Sequence, residues 1–412
     1  MRILFVSNYF PPEVNAPARR VFEHAIQWVR AGHEVEVLTS APNFPEGAVY
    51  QGYRNLYRRE LVEGIRVTRV PMFISANRGK VRRSLAYGSF LASGLAHAPL
   101  LQTSPDVVVA TSPQILAAVL GLGIAKAMRL PFVLEIRDIW PESIVAVGAS
   151  GRNQLIRALE GLERFLYENS DHIVVVTHSF KDHVKGKGIS AERITVLMNG
   201  ADLSAFGEPP DPLRVESMRR ELGLEGKFVA SYIGTLGMAH RAEIMLEAAR
   251  ICPDPNVVFM VVGTGAERPK LERLSREANL ANFRLVDKHP ADAVPALLAL
   301  TDVSVVMLRD TPLFRTVVPS KIFEAMATHT PIVLGVEGET RALVERAGCG
   351  IPIPPESPAA LVDAVCRLCA DEELYDRLAR QGGDYVRSNH DRKVLAERYL
   401  SLLAGVRRSK DV

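Results

Sequence analysis

A chain of 412 residues is too long for one ordinary hydrophobic core, so two domains are the natural expectation. Hydrophobic residues at 47% and charged residues at 24% fit a globular protein, and a formal charge of +3 is too small to point to nucleic acid. Four cysteines fit a reducing cytoplasm; Cys366 and Cys369 form a C-x-x-C inside a helical apolar pattern, with no second pair for a zinc site, and read as core residues.

The opening "MRILFVSNYF" lacks a long apolar stretch and a cleavage site, so it reads as a strand rather than a signal peptide. "PARRVFEHAIQWVRAG" is an amphipathic helix ending at Gly32, and "HEVEVLTSA" is the next strand. "GIRVTRVPM", "DVVVATS", "PFVLEIRD" and "HIVVVTHS" follow as strands, mostly with helices between them. Two uncharged stretches, 84–105 and 107–125, are broken by Pro, Gly or His, and neither is a clean span of ~20 apolar residues. After the Pro-rich "GEPPDPLR" the alternation restarts with "FVASYIGT", "VVFMVVGTG", "FRLVDKHP", "VSVVML" and "PIVLGV" as strands. This predicts two doubly wound α/β domains, with parallel sheets and helices on both faces, over residues 1–200 and 201–384. The last amphipathic stretch, within 385–412, is expected to pack back onto the first domain. Ligands of such sheets bind where strands end and helices begin, so the default site is a cleft between two facing sets of loops.

One helix start stands out. "VPSKIFEAMA" puts a lysine, Lys321, in a first turn, where exposed N–H groups disfavour a cation. Ser320 is the expected N-cap. Ile322, Phe323 and Met326 face the core, which turns Lys321 and Glu324 together to the other side. A surface Lys321–Glu324 pair is one explanation, worth roughly 0.2–0.5 kcal/mol in the poorer order. A phosphate-bearing ligand explains both residues better: Lys321 neutralises phosphate, and Glu324 accepts from ribose hydroxyls. Gly263 and Gly265 form a βα turn that lets a ligand approach backbone, or simply a tight turn. Gly234 and Gly237, with His240, suit a pyrophosphate, or an ordinary turn with a surface histidine.

Together these elements resemble family four of the retaining glycosyltransferases, of the two-domain GT-B class, nearest to the bacterial O-antigen and capsule branch with its N-acetylfucosamine transferases. The segments "FVLEIRDIWPES", "VLMNGADLSAF", "YIGTLGMAHRAE", "GTGAERPKL", "LVDKHP" and "VPSKIFEAMA" occur in the family's order. The resemblance implies two Rossmann-like domains facing across a cleft, the second holding a nucleotide-diphosphosugar. Glu324 matches the second glutamate of the family's E-x7-E motif, the ribose ligand. Pro319, Ser320 and Lys321 match phosphate-contacting positions. Asp287, Lys288, His289 and Pro290 match the loop that reads the base, usually uracil. Gly234, Thr235, Leu236 and Gly237 would lie under the pyrophosphate, with Gly263 and Gly265 beside the nucleoside. The chain departs from the pattern where the first glutamate is Thr316, and where a family arginine and lysine are Thr235 and His240. Lys321, Arg315 and His240 are then left to balance the diphosphate, and a deoxy or N-acetylated sugar suits the branch.

No D-x-D motif occurs, so a metal-independent reaction is expected, with Lys321 stabilising the departing diphosphate. In the first domain Asp138 sits where the family carries a polar cleft residue; it either meets the sugar or acceptor, or joins Arg137 in a structural network. Asn15 and Arg19, near the first helix start, are candidate acceptor ligands, and a surface arginine is the plainer reading of Arg19. Within residues 78–101, Arg78, Lys80, Arg82 and Arg83 precede Leu85, Phe90, Leu91 and Leu95. That pattern fits an anionic membrane surface, or a core helix with a solvated basic start; Tyr57, Arg58 and Arg59 would extend the face. The expected enzyme is therefore cytoplasmic and peripheral at the inner face of the plasma membrane. It would need no cofactor beyond a UDP-sugar co-substrate, and its acceptor would be a polyprenyl-diphosphate-linked sugar. A UDP-N-acetylglucosamine 2-epimerase, a nicotinamide dehydrogenase using Gly263, Gly265 and Asp287, and a non-catalytic nucleotide-sugar sensor are the alternatives.

Overall fold

The computed structural model describes residues 1–44, 46–75, 80–112, 114–139 and 154–410. Trp140 to Ser143 of the "DIWPES" segment, Arg78, and the side chains of Lys80 and Arg83 lie outside the described residues.

Among the described residues fourteen strands form two sheets. The first holds β1 (Arg2–Val6), β2 (Glu34–Ser40), β3 (Arg58–Val62), β4 (Ile65–Val70), β5 (Val107–Thr111), β6 (Phe132–Ile136), β7 (His172–Val175) and β8 (Ile194–Val196), in the order β3-β4-β2-β1-β5-β6-β7-β8. The second holds β9 (Phe228–Ile233), β10 (Val257–Val262), β11 (Phe283–Val286), β12 (Val303–Met307), β13 (Ile332–Gly335) and β14 (Gly350–Pro352), in the order β11-β10-β9-β12-β13-β14. Both are parallel except at one edge, where β3 runs antiparallel to β4. The sequence reading missed this strand. At a sheet edge "RRELV" needs no apolar face, and Leu61 is 70% exposed.

The chain divides into two compact units, Met1–Met198 with Lys393–Val412, and Asn199–Arg392. The central strands are Val/Ile-rich and buried on both faces, as a sheet covered by helices requires. In the first unit Phe5, Val21 and Trp28 pack against Leu395, Tyr399 and Leu403 of the terminal helix Arg392–Lys410. Trp28 Nε1 donates to the Ala396 carbonyl at 3.0 Å, so the buried indole leaves no unmet donor. In the second unit the helices Glu243–Ile251 and Pro358–Ala370 cover one face of the sheet. Leu224, Met260 and Leu297 belong to the core on the other face. Cys252, Cys366 and Cys369 are partly buried against the first of these cores, and all four cysteines are free thiols. Among the described residues no helix is long and apolar enough to cross a membrane.

Candidate active site

In the second sheet β9 and β12 are neighbours, yet β10 and β11 lie to one side of them and β13 and β14 to the other. The strand order reverses there, and the loops after β9 and β12 must part. This is where a doubly wound sheet opens a crevice. The loop after β9 carries Gly234 to His240, and the segment after β12 leads into the helix Lys321–Ala327.

The β9 and β10 loops are pressed backbone to backbone. Leu236 N donates to the Thr264 carbonyl at 2.9 Å, and Glu267 N to the Leu236 carbonyl at 2.9 Å. Gly263 (φ 145°) and Gly265 (φ 157°) have conformations that L side chains rarely adopt. A Cβ on Gly263 would fall 1.9 Å from the Gly234 carbonyl oxygen, and one on Gly265 2.3 Å from that of Leu236. Below them Tyr232, with its phenol pKa raised by burial, donates its hydroxyl to the Thr235 carbonyl at 2.8 Å.

Lys321 reaches into this crevice. Its Nζ lies 3.5 Å from the centroid of the Tyr232 ring and 3.0 Å from where a Gly234 Cβ would be. The amine is buried and has no hydrogen-bond partner. The surface pair with Glu324 weighed from sequence is therefore not made; that carboxylate supports the charge only weakly. Burial drives the Lys321 pKa from its ordinary 10.5 down to about 7. His240 is pushed down to about 4, by burial first and by Lys321 second, and its Nδ1 is also buried without a partner. Ile322, Phe323 and Met326 are buried while Lys321 and Glu324 are partly open, as the spacing predicts.

One other expectation, the Ser320 cap, needs correction. Ser320 holds the cap position in helical backbone (φ −62°, ψ −27°), and its side chain makes no capping bond. The Ser320 carbonyl instead accepts from Phe323 N at 3.1 Å, and that of Pro319 from Ile322 N at 3.3 Å. Arg315, a candidate partner of the diphosphate, is exposed and held by Asp310, with Nε donating at 2.9 Å and Nη2 at 3.0 Å. Thr316, in place of the family acid, donates to the Leu313 carbonyl at 2.7 Å. Lys288, His289 and Pro290 lie on the loop following β11, with Lys288 and Pro290 exposed. The dehydrogenase reading loses its acid. Arg268 stands at the third glycine position of the dinucleotide fingerprint, bridges the Gly263 and Val286 carbonyls at 2.7 Å each, and binds Asp287 at 2.8 Å.

In the first unit Asn15 caps the helix Ala16–Arg30, its Oδ1 accepting from Ala18 N at 2.9 Å and its Nδ2 buried without a partner. Arg19 pairs along that helix with Glu23 at 3.5 Å, the plainer of its two readings. Arg137 follows β6. Its backbone N donates to Ser112 Oγ at 3.0 Å, while its buried Nε and Nη1 have no partner. Burial lowers its pKa to about 10. Asp138 lines a small cavity with Ser112, Leu134 and Glu163. Among the described residues no group of three or more His, Cys, Asp or Glu side chains could hold a metal ion.

Known proteins resemble this chain in sequence and fold. Residues 15–200 match the family described as glycosyl transferase 4-like domain, and residues 214–384 match glycosyl transferases group 1. The chain belongs to the group 1 glycosyltransferases. It is 27% identical over 377 residues to the glycosyl transferase WcaI of Escherichia coli K12, whose name places it in colanic acid biosynthesis; this covers 89% of the chain and 91% of the relative. It is 27% identical to the probable glycosyltransferase WbjE of Pseudomonas aeruginosa, over 64% of the chain and 66% of the relative. The GT-B fold is shared with crystal structures of Anabaena HepE in complex with UDP (TM-score 0.73, 18% identity, 98% and 100% covered) and of WaaG, a glycosyltransferase involved in lipopolysaccharide biosynthesis (0.70, 16%, 98% and 100%).

Three residues of this glycosyltransferase escaped the sequence reading. Tyr232 read only as a strand residue. Glu13 is a buried carboxylate that accepts from the backbone N–H of Phe10, Asn43 and Phe44 at 2.9–3.2 Å and so ties the β1 loop to the β2 loop; nothing in "YFPPE" marks it. Glu163, also buried, accepts from the Tyr167 hydroxyl at 2.6 Å. The i,i+4 spacing of Glu163 and Tyr167 on one helix was a usable signal.

Proposed function

We propose that this group 1 glycosyltransferase moves a sugar, an N-acetylated or deoxy hexosamine, from a UDP-sugar to a polyprenyl-diphosphate-linked saccharide during surface polysaccharide synthesis. The observation that carries the donor half is the Lys321 amine, buried beside Gly234 without a hydrogen-bond partner. A buried cation with no partner costs folding free energy unless an anion completes it. The diphosphate of a nucleotide sugar is such an anion, and a solved structural neighbour was crystallised with UDP-glucose.

In this reading Gly234 to Gly237 bring backbone against the pyrophosphate, and Gly263 and Gly265 keep that loop close to its neighbour. Lys321 offers its ammonium to the charge that grows on the departing diphosphate, stabilisation of the kind that raises kcat. Glu324, one turn further, accepts from the ribose diol. His240, neutral at physiological pH, donates or accepts one hydrogen bond without adding charge. Asp138 and Arg137 are the candidates for meeting the acceptor, and the reaction proceeds with retention by departure and attack on one face of the sugar.

Relatives named for colanic acid and lipopolysaccharide synthesis support a surface-glycan acceptor. A screen of nucleotide sugars by thermal shift tests the donor. UDP-sugars should raise the melting temperature of the intact chain, and Glu324→Ala should reduce that rise by weakening binding about tenfold or more, the loss of a charge-assisted hydrogen bond. A response to NAD and to no nucleotide sugar would remove the proposal. Membrane-extract turnover, with the product requiring an acceptor, separates transfer from epimerisation and from mere sensing.

A further inference from the structure

Tyr232 is placed to do more than fill the core. Its ring is fully buried at the end of β9, and one face of it is the nearest support of the Lys321 ammonium. Its hydroxyl holds the Thr235 carbonyl, the first turn of the loop beneath that same ammonium. The His240 ring leans on it at 6.2 Å between centroids, inclined by 63°. One side chain therefore touches the cation, the loop and the histidine of the crevice. A lysine side chain is long and flexible, and an amine without an acceptor has many rotamers to choose from. Here the choice is made by the negative face of an aromatic ring, and the absence of a side chain at Gly234 leaves the adjoining space open.

We propose that Tyr232 is a positioning residue for donor binding: its ring face keeps the Lys321 ammonium aimed at the diphosphate, in the free protein and after the donor arrives. This rests on the donor reading above. The ring has no charge and does not compete with phosphate. An ammonium seated on it keeps N–H bonds free for oxygen on its other side. The seat thus lowers the ordering cost of capture without having to be given up.

The test is calorimetric titration of the full-length chain with UDP and with GDP as probes. Tyr232→Phe keeps the ring and should leave the dissociation constant within about threefold. Tyr232→Leu removes the ring and should raise it about tenfold, the upper end of the cost of ordering one rotamer-rich side chain on binding. In a Lys321→Met background Tyr232→Leu should change it less than about twofold, because the two residues act as one unit. An equal weakening with and without Lys321 would mean a purely structural role and overturn the proposal, as would unchanged or tighter binding in Tyr232→Leu. Should Tyr232→Leu fail to fold, a graded series of fluorinated phenylalanines at 232 keeps the shape while draining the ring face. Affinity should then fall with each fluorine, and a flat series overturns the proposal. If Lys321→Met binds UDP as the unaltered chain does, the donor reading itself fails. If neither nucleotide binds the unaltered chain, both fail together.

Discussion

Lys321 shows how much a single residue's environment decides. The spacing of its helix made it conspicuous, but its state comes from burial, which lowers its pKa to about 7. The unfolded chain keeps the ordinary value of 10.5. Between those two values the unfolded state holds a proton that the folded amine lacks, so this residue's contribution to stability rises with pH across the window and is smallest below pH 7. Donor binding runs the other way. The diphosphate restores charge, so binding above pH 7 takes up a proton and UDP affinity falls as pH rises. Of the groups facing the amine, Tyr232 stays protonated, His240 is neutral above about 4, and Glu324 supplies the nearby acid. Calorimetry in two buffers of different ionisation enthalpy should show uptake growing between pH 7 and 8.5, and the Lys321→Met variant should lose most of it. A pH-independent proton balance would contradict the assignment. At Gly263 the constraint is steric: with a Cβ predicted 1.9 Å from the Gly234 oxygen, Gly263→Ala must part the two loops. We expect a stability loss of about 1–3 kcal/mol from strain of this kind. UDP affinity should fall with it, read from chemical denaturation and titration of the same sample. A variant with unchanged stability and affinity would show that the loops are not held as tightly as described.

At the scale of elements, the buried parallel strands were legible because both of their faces are apolar. Strand β3 was not legible, because an edge strand carrying Arg58, Arg59 and Glu60 has no pattern to betray it. The structure gives it a place. Tyr57, just before β3, stacks on His97 at 5.1 Å, and its hydroxyl donates to the Leu100 carbonyl at 3.1 Å. Arg59 donates to the same carbonyl. This joins the strand to the end of the helix Lys80–His97, where Leu95 and Leu100 are exposed, as is Leu85 nearer its start. Phe90 of that helix is buried, as the core reading expects, and the membrane reading concerns the exposed side alone. If the exposed side meets a membrane, the chain should sediment with vesicles of phosphatidylglycerol and phosphatidylethanolamine. Binding should weaken with salt, and Leu85→Ser with Leu95→Ser should reduce it several-fold. Equal binding to zwitterionic vesicles, or none to anionic ones, would remove the membrane from the proposal.

At the scale of the whole molecule, the chain returns at its end to the unit where it began. Residues Lys393–Val412 belong with Met1–Met198, and Tyr399 meets both His24 and Trp28 edge-on at 5.4 and 5.3 Å. Removing residues 393–412 would expose the apolar face around Phe5, Val21 and Trp28 and leave the indole N–H without its acceptor. Losing several buried side chains at about 1.5–3 kcal/mol each exceeds the margin of an ordinary domain. Trp28 lies in the first unit, and in a Trp140→Phe background its emission reports on that unit alone. The truncated chain should show red-shifted emission, while the Asn199–Arg392 unit keeps a cooperative melting transition. Native emission from the truncated chain would contradict this packing.

The amino-acid sequence by itself determined the alternation of strands and helices, the glycine turns after β9 and β10, and the placing of Lys321 and Glu324 on one side of a helix. Those features are local: burial has a period, and a period is written in neighbouring residues. The tertiary structure decided which charges are already satisfied. Arg315 is taken by Asp310 and Arg268 by Asp287, whereas Lys321 rests on the ring of a tyrosine from a distant strand and has no acceptor. Partnership depends on distances through space and on the exclusion of water, and neither is a property of a residue's neighbours in the chain.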